Sequence, residues 1–253
     1  VKPFFVGVSA IYRREMLSLW VTPLAWVLLS AFLLVQGGVF YSIVLHFSQM
    51  TELSLDTGPL EAYFGQHSVL ISMTLLFLCP ALSMRAFAEE RRSGTIETLL
   101  TAPVGSSSLV LGKYLAIFST YALIWAPTLL YAFILRTTGT VDFRVVFTSY
   151  LGLMLVGGSY LALGVLMSSF TRSQLIALML ALSLQFGIFV LGVGEYVFEP
   201  GPLRELCAHI SLASQLEEMS KGVVDLRRIV FDVSVTAWSL FVTSRVVESW
   251  RLG

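Results

Sequence analysis

Charge is what this sequence has least of: Asp, Glu, Lys and Arg make up 13% of its 253 residues against 56% for the hydrophobic types, and the mean hydropathy is +0.82. Soluble domains carry about a quarter charged residues, so a water-soluble fold is excluded and a membrane protein remains. The 16 basic and 16 acidic side chains cancel, so net charge points to no nucleic acid and no acidic partner; the information lies in where the charges fall. Cysteine is almost missing. Cys79 lies inside an apolar run and Cys207 in a polar segment between runs, at depths that argue against a bridge, which needs Cα atoms within about 7 Å. The histidines, His46, His67 and His209, have no metal-ligand spacing and no paired-His helix motif.

What is present is length of apolar run. Six segments meet the requirement of about 17 to 25 mostly apolar residues for a spanning helix: 23–47, 68–84, 109–135, 145–170, 175–197 and 229–247. The runs are continuous rather than alternating, which selects helices over a barrel. The expected fold is an all-α membrane protein, one transmembrane domain over residues 1–253. Pro23 suits a first helical turn, while Pro80 and Pro127 fall inside spans and predict kinks. The first run ends in Phe47-Ser48-Gln49 without small cleavage-site residues, so it reads as a retained span. Ahead of it, residues 1–22 place Phe4, Val8, Ile11 and Tyr12 at helical spacing beside Lys2, Arg13 and Arg14, the build of a helix lying in the membrane interface.

Orientation follows from Lys and Arg near the span ends. With the N-terminus cytoplasmic, ten basic residues (Lys2, Arg13, Arg14, Arg85, Arg91, Arg92, Lys113, Arg172, Arg245, Arg251) fall inside and six outside, and the first outer loop, 48–67, has no Lys or Arg at all. Both termini are therefore expected in the cytoplasm. The longest outer loop, 198–228, reads as a helical hairpin: Leu203, Leu206 and Ile210 repeat at helical spacing. Ser214 and Glu217 form a capping box for a second helix with Leu216, Met219 and Val223 on its apolar side, and Gly222 supplies a left-handed stop.

The densest charge sits between the second and third spans. Residues 85–108 spend 24 residues on a connection for which a few would suffice, and a loop of that length in a compact bundle is usually functional or disordered. The second span is expected to run on as a protruding helix through Glu89, Glu90, Arg91 and Arg92 until Gly94 ends it. Thr95 can then cap a short helix whose Ile96, Leu99 and Leu100 share one face, with Pro103 limiting it and Ser106, Ser107 and Ser108 offering caps for the third span. Two readings stand on the residues alone: a docking element, or a positive-inside anchor in which Arg91 and Arg92 pair with Glu89 and Glu90 at the surface.

The run Ala88-Glu89-Glu90-Arg91-Arg92-Ser93-Gly94-Thr95-Ile96-Glu97-Thr98-Leu99-Leu100-Thr101-Ala102-Pro103 closely resembles the signature of membrane subunits of the ABC-2 family of ATP-binding-cassette transporters. Lys221 to Arg228 and the ending Val246-Val247-Glu248-Ser249-Trp250-Arg251 resemble, more narrowly, the gliding-motility-associated permease branch. The resemblance implies a non-catalytic permease in the bacterial cytoplasmic (inner) membrane. Its coupling helix, Glu89 to Pro103, would dock on a separate cytoplasmic ATPase subunit, with Glu90, Arg91 and Glu97 as polar contacts and Ile96, Leu99 and Leu100 as apolar ones. It also implies a second copy or a related permease, an accessory membrane protein with a large extracytoplasmic part, surrounding membrane lipid, and ATP with Mg held by the ATPase rather than by this chain.

The chain's own chemistry is consistent with that division of labour. Gly112-Lys113 is the nearest approach to a phosphate loop, but Ser107 and Tyr114 stand where Gly and Ser or Thr are required. Glu195, Asp232 and Arg245 lie near span ends, and Gln36 and Gln185 read as helix-to-helix hydrogen bonders. An intramembrane hydrolase would need a partner that His46 lacks. Gly158 and Ala162 form a small-xxx-small pair, used for packing within the chain or for a dimer seam on the first or fifth span. The competing classes are an ATPase-independent channel or secondary carrier, and a structural anchor of an envelope complex.

Overall fold

The structure, a computed structural model, describes residues 2–49, 61–66, 68–96, 105–138 and 142–252. Among these the chain is helical without strands: α1 (Lys2–Val21), α2 (Pro23–Gln49), a π turn (Ala62–Gln66), α3 (Ser68–Ser83) and α4 (Ala88–Ser93) come first. Then follow α5 (Ser106–Trp125), a 3-10 turn (Ala126–Thr128), α6 (Leu129–Thr138), α7 (Phe143–Phe170) and α8 (Gln174–Val197), and last α9 (Pro202–Ile210), α10 (Leu212–Ser220) and α11 (Leu226–Leu252). Six segments are long and apolar enough to span a membrane: Pro23–Gln49, Val69–Ser93, Ser106–Arg136, Phe143–Phe170, Gln174–Val197 and Leu226–Trp250. They match the expected spans, since a continuous apolar run leaves a helix as the only spanning form that satisfies its own backbone. Pro23 opens α2, Pro80 lies inside α3, and Pro127 sits in the 3-10 turn that separates α5 from α6.

The fourth span, α7, is the centre of the bundle and packs against α3, α5, α8, α10 and α11. Its small residues allow this. A Cβ on Gly164 would collide with the Ser83 hydroxyl of α3, and Gly158 and Ala162 are both buried inside the chain. Lipid-filled surroundings supply no hydrophobic drive between helices, so such close backbone contact and van der Waals packing hold the bundle. Gln36 and Gln185 act as expected: Gln36 donates to Thr74 (3.0 Å) and accepts from Tyr63 (2.6 Å), and Gln185 donates to the Tyr160 carbonyl (2.9 Å).

Three local expectations are corrected. The N-cap of α10 is Ser211, not Ser214: its side chain accepts from the Ser214 amide at 3.3 Å, because the helix follows α9 after a single residue. Gly222 does stop it, at φ +77°, with Gly222 and Val223 amides bonded to the Met219 and Glu218 carbonyls. Leu216 and Met219 are buried while Val223, beyond that stop, is 56% exposed. At the third span, Gly105 occupies the cap position with no side-chain cap, so none of Ser106, Ser107 and Ser108 serves. And the second span does not run on unbroken: it pauses in a turn over 84–87 before α4.

Candidate functional site

That turn frees backbone groups, and α7 takes them up. The Ser168 hydroxyl accepts from the Phe87 and Ala88 amides, each at 3.1 Å, and donates to the Met84 carbonyl at 2.9 Å. One serine therefore stitches the break that Pro80 and the turn create, satisfying groups that would otherwise be buried and unpaired. Phe87 and Ala88 are fully buried, so the entry to α4 is part of the packed bundle and not a protruding stalk.

The charges of α4 then divide. Glu89 pairs back to Arg85 at 2.6 Å. Glu90 turns inward, taking Arg14 of α1 at 2.5 Å and Lys113 of α5 at 2.9 Å, while Glu15 of α1 takes the same two cations at 2.6 and 3.1 Å. Lys113 is the hub, with its side chain only 2% exposed and its ammonium 5.3 Å from the centre of the Phe87 ring. Two cations and two anions balance, the condition under which buried charge is tolerated. Burial pushes the Glu15 carboxyl up, but Lys113 and Arg14 more than offset it and hold it below the ordinary glutamate range.

Gly112 makes the quartet reachable. A Cβ there would lie 2.8 Å from Ile11 Cγ2 and 3.0 Å from the Val8 carbonyl, so only glycine lets α1 seat on α5 with Glu15 opposite Lys113. The contact continues through Tyr12 to Ser119 at 3.2 Å and Thr120 to the Met16 sulfur at 3.5 Å. Of the expected stripe, Val8, Ile11 and Tyr12 thus pack on a span, while Phe4 is exposed together with Phe5, Val6, Leu17 and Val21. The Gly112-Lys113 pair is a helix contact with a buried ion-pair partner, which is why it carries no phosphate cradle.

Arg91 secures the remaining side. Its guanidinium donates to the Ser169 carbonyl of α7 at 2.7 Å and lies 4.5 Å over the Trp250 ring of α11, whose edge meets Phe87 at 5.9 Å. α4 is therefore joined to α1, α5, α7 and α11 together. Arg92, Ser93, Gly94 and Thr95 are exposed at its end, where Gly94 adopts φ +74° and stops the helix as expected, and Ile96 is partly buried against the core. Glu97, Leu99, Leu100 and Pro103 lie outside the described residues.

Of the site residues expected from sequence, Glu90 and Arg91 are thus committed within the chain, Glu89 is half exposed on Arg85, and Arg92, Gly94 and Thr95 face outward. Arg14, Glu15, Lys113, Ser168 and Trp250 were not expected. Lys113 did carry a signal: a lone cation in a long apolar helix requires an anion, although sequence does not say which one.

The family model described as ABC-2 family transporter protein matches residues 9–219, from within α1 to near the end of α10. A comparison with curated proteins gives no match.

Proposed function

The chain belongs to the ABC-2 transporter family, and on that premise we propose that it is a permease driven by a separate cytoplasmic ATPase that pushes on the stretch from Glu89 to Pro103. The observation that carries this reading is the junction at α4: one short helix tied to α1, α5, α7 and α11 through Glu90, Arg91 and Ser168. A load applied at the exposed end, Arg92 to Thr95, would move the ends of several spans as one body, a rigid transmission of the hinge and shear kind. ATP and Mg belong to the ATPase in this reading, and this chain contributes no catalytic group.

The same reading places both termini and α4 in the cytoplasm and the α9–α10 hairpin outside, in a bacterial inner membrane, supported by the ten-to-six distribution of basic residues. A second copy would complete the transporter. An apolar groove of about 460 Å³ between α2, α3 and α8, lined by Phe32, Val35, Phe77 and Leu182 among others, supports a partner helix along the sparsely covered first and fifth spans. The narrower reading as a gliding-motility permease with an accessory extracytoplasmic partner rests on the likeness of Lys221 to Arg228 and of the ending Val246 to Arg251.

Because Glu90 is committed within the chain, the docking test uses the exposed Arg92 together with Glu97 of the same stretch. With Arg92→Glu and Glu97→Lys combined, recovery of the ATPase with the purified chain and stimulation of its hydrolysis should both fall by about tenfold or more, from loss of interfacial charge contacts. Unchanged recovery and stimulation would remove the docking role.

A further inference from the structure

The opposite end of the bundle also buries charge, but without balance. Asp232 of α11 is 5% exposed, and its carboxylate accepts a hydrogen bond from Gln215 of α10 at 2.6 Å. The cation one turn away, Arg228, is engaged elsewhere, donating to Glu218 at 2.8 Å and to the Ser211 carbonyl at 3.4 Å. Among the described residues no Lys or Arg lies within ion-pair distance of Asp232, and the neighbouring Glu195 is bonded to Ser214 and adds no positive charge. Asp232 lies near the start of α11, which begins at Leu226, beneath Gln215 of the hairpin. An ionisable group held in a span marks a site more often than a structural role, and among the described residues Asp232 has no direct ion pair, Arg228 acting on it only at longer range.

Asp232 lines a crevice of about 430 Å³ between α5, α7 and α11, within the size range of small-molecule sites. Phe118, Met154 and Leu240 give it apolar walls, and among the described residues the other polar side chains lining it are Tyr114 and Thr236. Both hydroxyl protons are already spent: Tyr114 donates to the Gly158 carbonyl at 3.2 Å and Thr236 to the Asp232 carbonyl at 2.8 Å. The polar side chains of the crevice therefore offer oxygen lone pairs and a negative charge and no free donor. That excludes anions and favours a cation, and Phe118 and Tyr114 add aromatic faces that attract one.

We propose that this crevice binds a lipophilic cation drawn from the membrane, a molecule with a positively charged centre and an apolar body, with Asp232 as its counter-ion. The proposal is independent of ATPase docking and is tested without an ATPase.

The full chain in lipid nanodiscs is titrated with radiolabelled tetraphenylphosphonium, and in parallel with tetraphenylborate, an anion of similar size and shape. Saturable phosphonium binding above that of empty nanodiscs is expected, with no saturable borate binding. Asp232→Asn, which keeps an acceptor for Gln215, should weaken phosphonium binding by about tenfold or more, the loss of one close charge pair, and Asp232→Glu should retain it. Ala237→Phe, which fills the crevice and leaves the carboxylate in place, should weaken binding as well and serves where Asp232→Asn does not fold. Absence of saturable phosphonium binding, phosphonium affinity unchanged in both Asp232→Asn and Ala237→Phe, or equal binding of the borate would overturn the proposal, leaving lipid as the occupant.

Discussion

Buried charge occurs at both ends of this bundle and is handled in opposite ways. At the end that carries α4, Arg14, Glu15, Glu90 and Lys113 balance two against two across three elements. At the hairpin end, Arg228 serves Glu218, while Asp232, among the described residues, has one amide donor and no direct ion pair. A closed set of ion pairs resists separation, because pulling one member away leaves another charge buried and alone. It suits a joint that must carry load. An open carboxylate beside a crevice has the reverse property: its burial is costly until something positive arrives, which suits a place where a ligand comes and goes.

Lys113→Met should produce the largest effect, since it leaves two acids, Glu15 and Glu90, sharing the half-exposed Arg14 alone; thermal unfolding in detergent should show a loss of about 3–5 kcal/mol. Adding Glu15→Gln and Glu90→Gln should recover a substantial part. A loss no greater than that of an exposed Lys221→Met control would break the distinction between the two ends. Ser168→Ala removes the acceptor for two buried amides and the donor to Met84, for about 1–3 kcal/mol, and proteolysis near residues 84–87 should accelerate.

Acid should loosen the same joint by less. The Glu15 carboxyl is held low in the folded chain, so the unfolded state binds the proton first. The stability it contributes is present above the ordinary glutamate range and is lost as pH falls through the depressed value. Hydrogen exchange in α1 should rise over that acidic window in the native chain, and Glu15→Gln should abolish the pH dependence. Smallest of all is Asp232→Asn. Neutralising an unpaired carboxylate relieves burial, so thermal stability should stay within about 0.5 kcal/mol or increase; a loss comparable to Lys113→Met would show that Asp232 is part of a closed network after all.

The fold was legible to a high degree because the membrane constrains it. Twenty-odd apolar residues have few options, and Pro23, Gly94 and Gly222 act at their positions through local backbone geometry that needs no knowledge of neighbours. The site was legible only in outline. Glu89 to Thr95 stood out as charge between apolar runs, but local reading paired Glu90 with Arg91 or Arg92, and the structure gives it partners 76 residues back and 23 residues on, at Arg14 and Lys113. Gly112-Lys113 looked like a flawed phosphate loop because its true partner surface, α1, is far away in sequence. Misplacing the cap at Ser214 has a similar origin: Ser214 has the better local motif, yet the close succession of α9 and α10 hands the position to Ser211.

The sequence by itself determined the solvent of this protein, its number of spans, the interruption at Pro127, and the stretch where charge gathers, since each follows from hydropathy or from a residue's own backbone preference. Only the tertiary structure decided which charges neutralise one another. Pairing energy depends on distances between elements that helical periodicity does not relate, and it is those distances that make one end of the bundle a closed joint and leave the other with an unpaired acid.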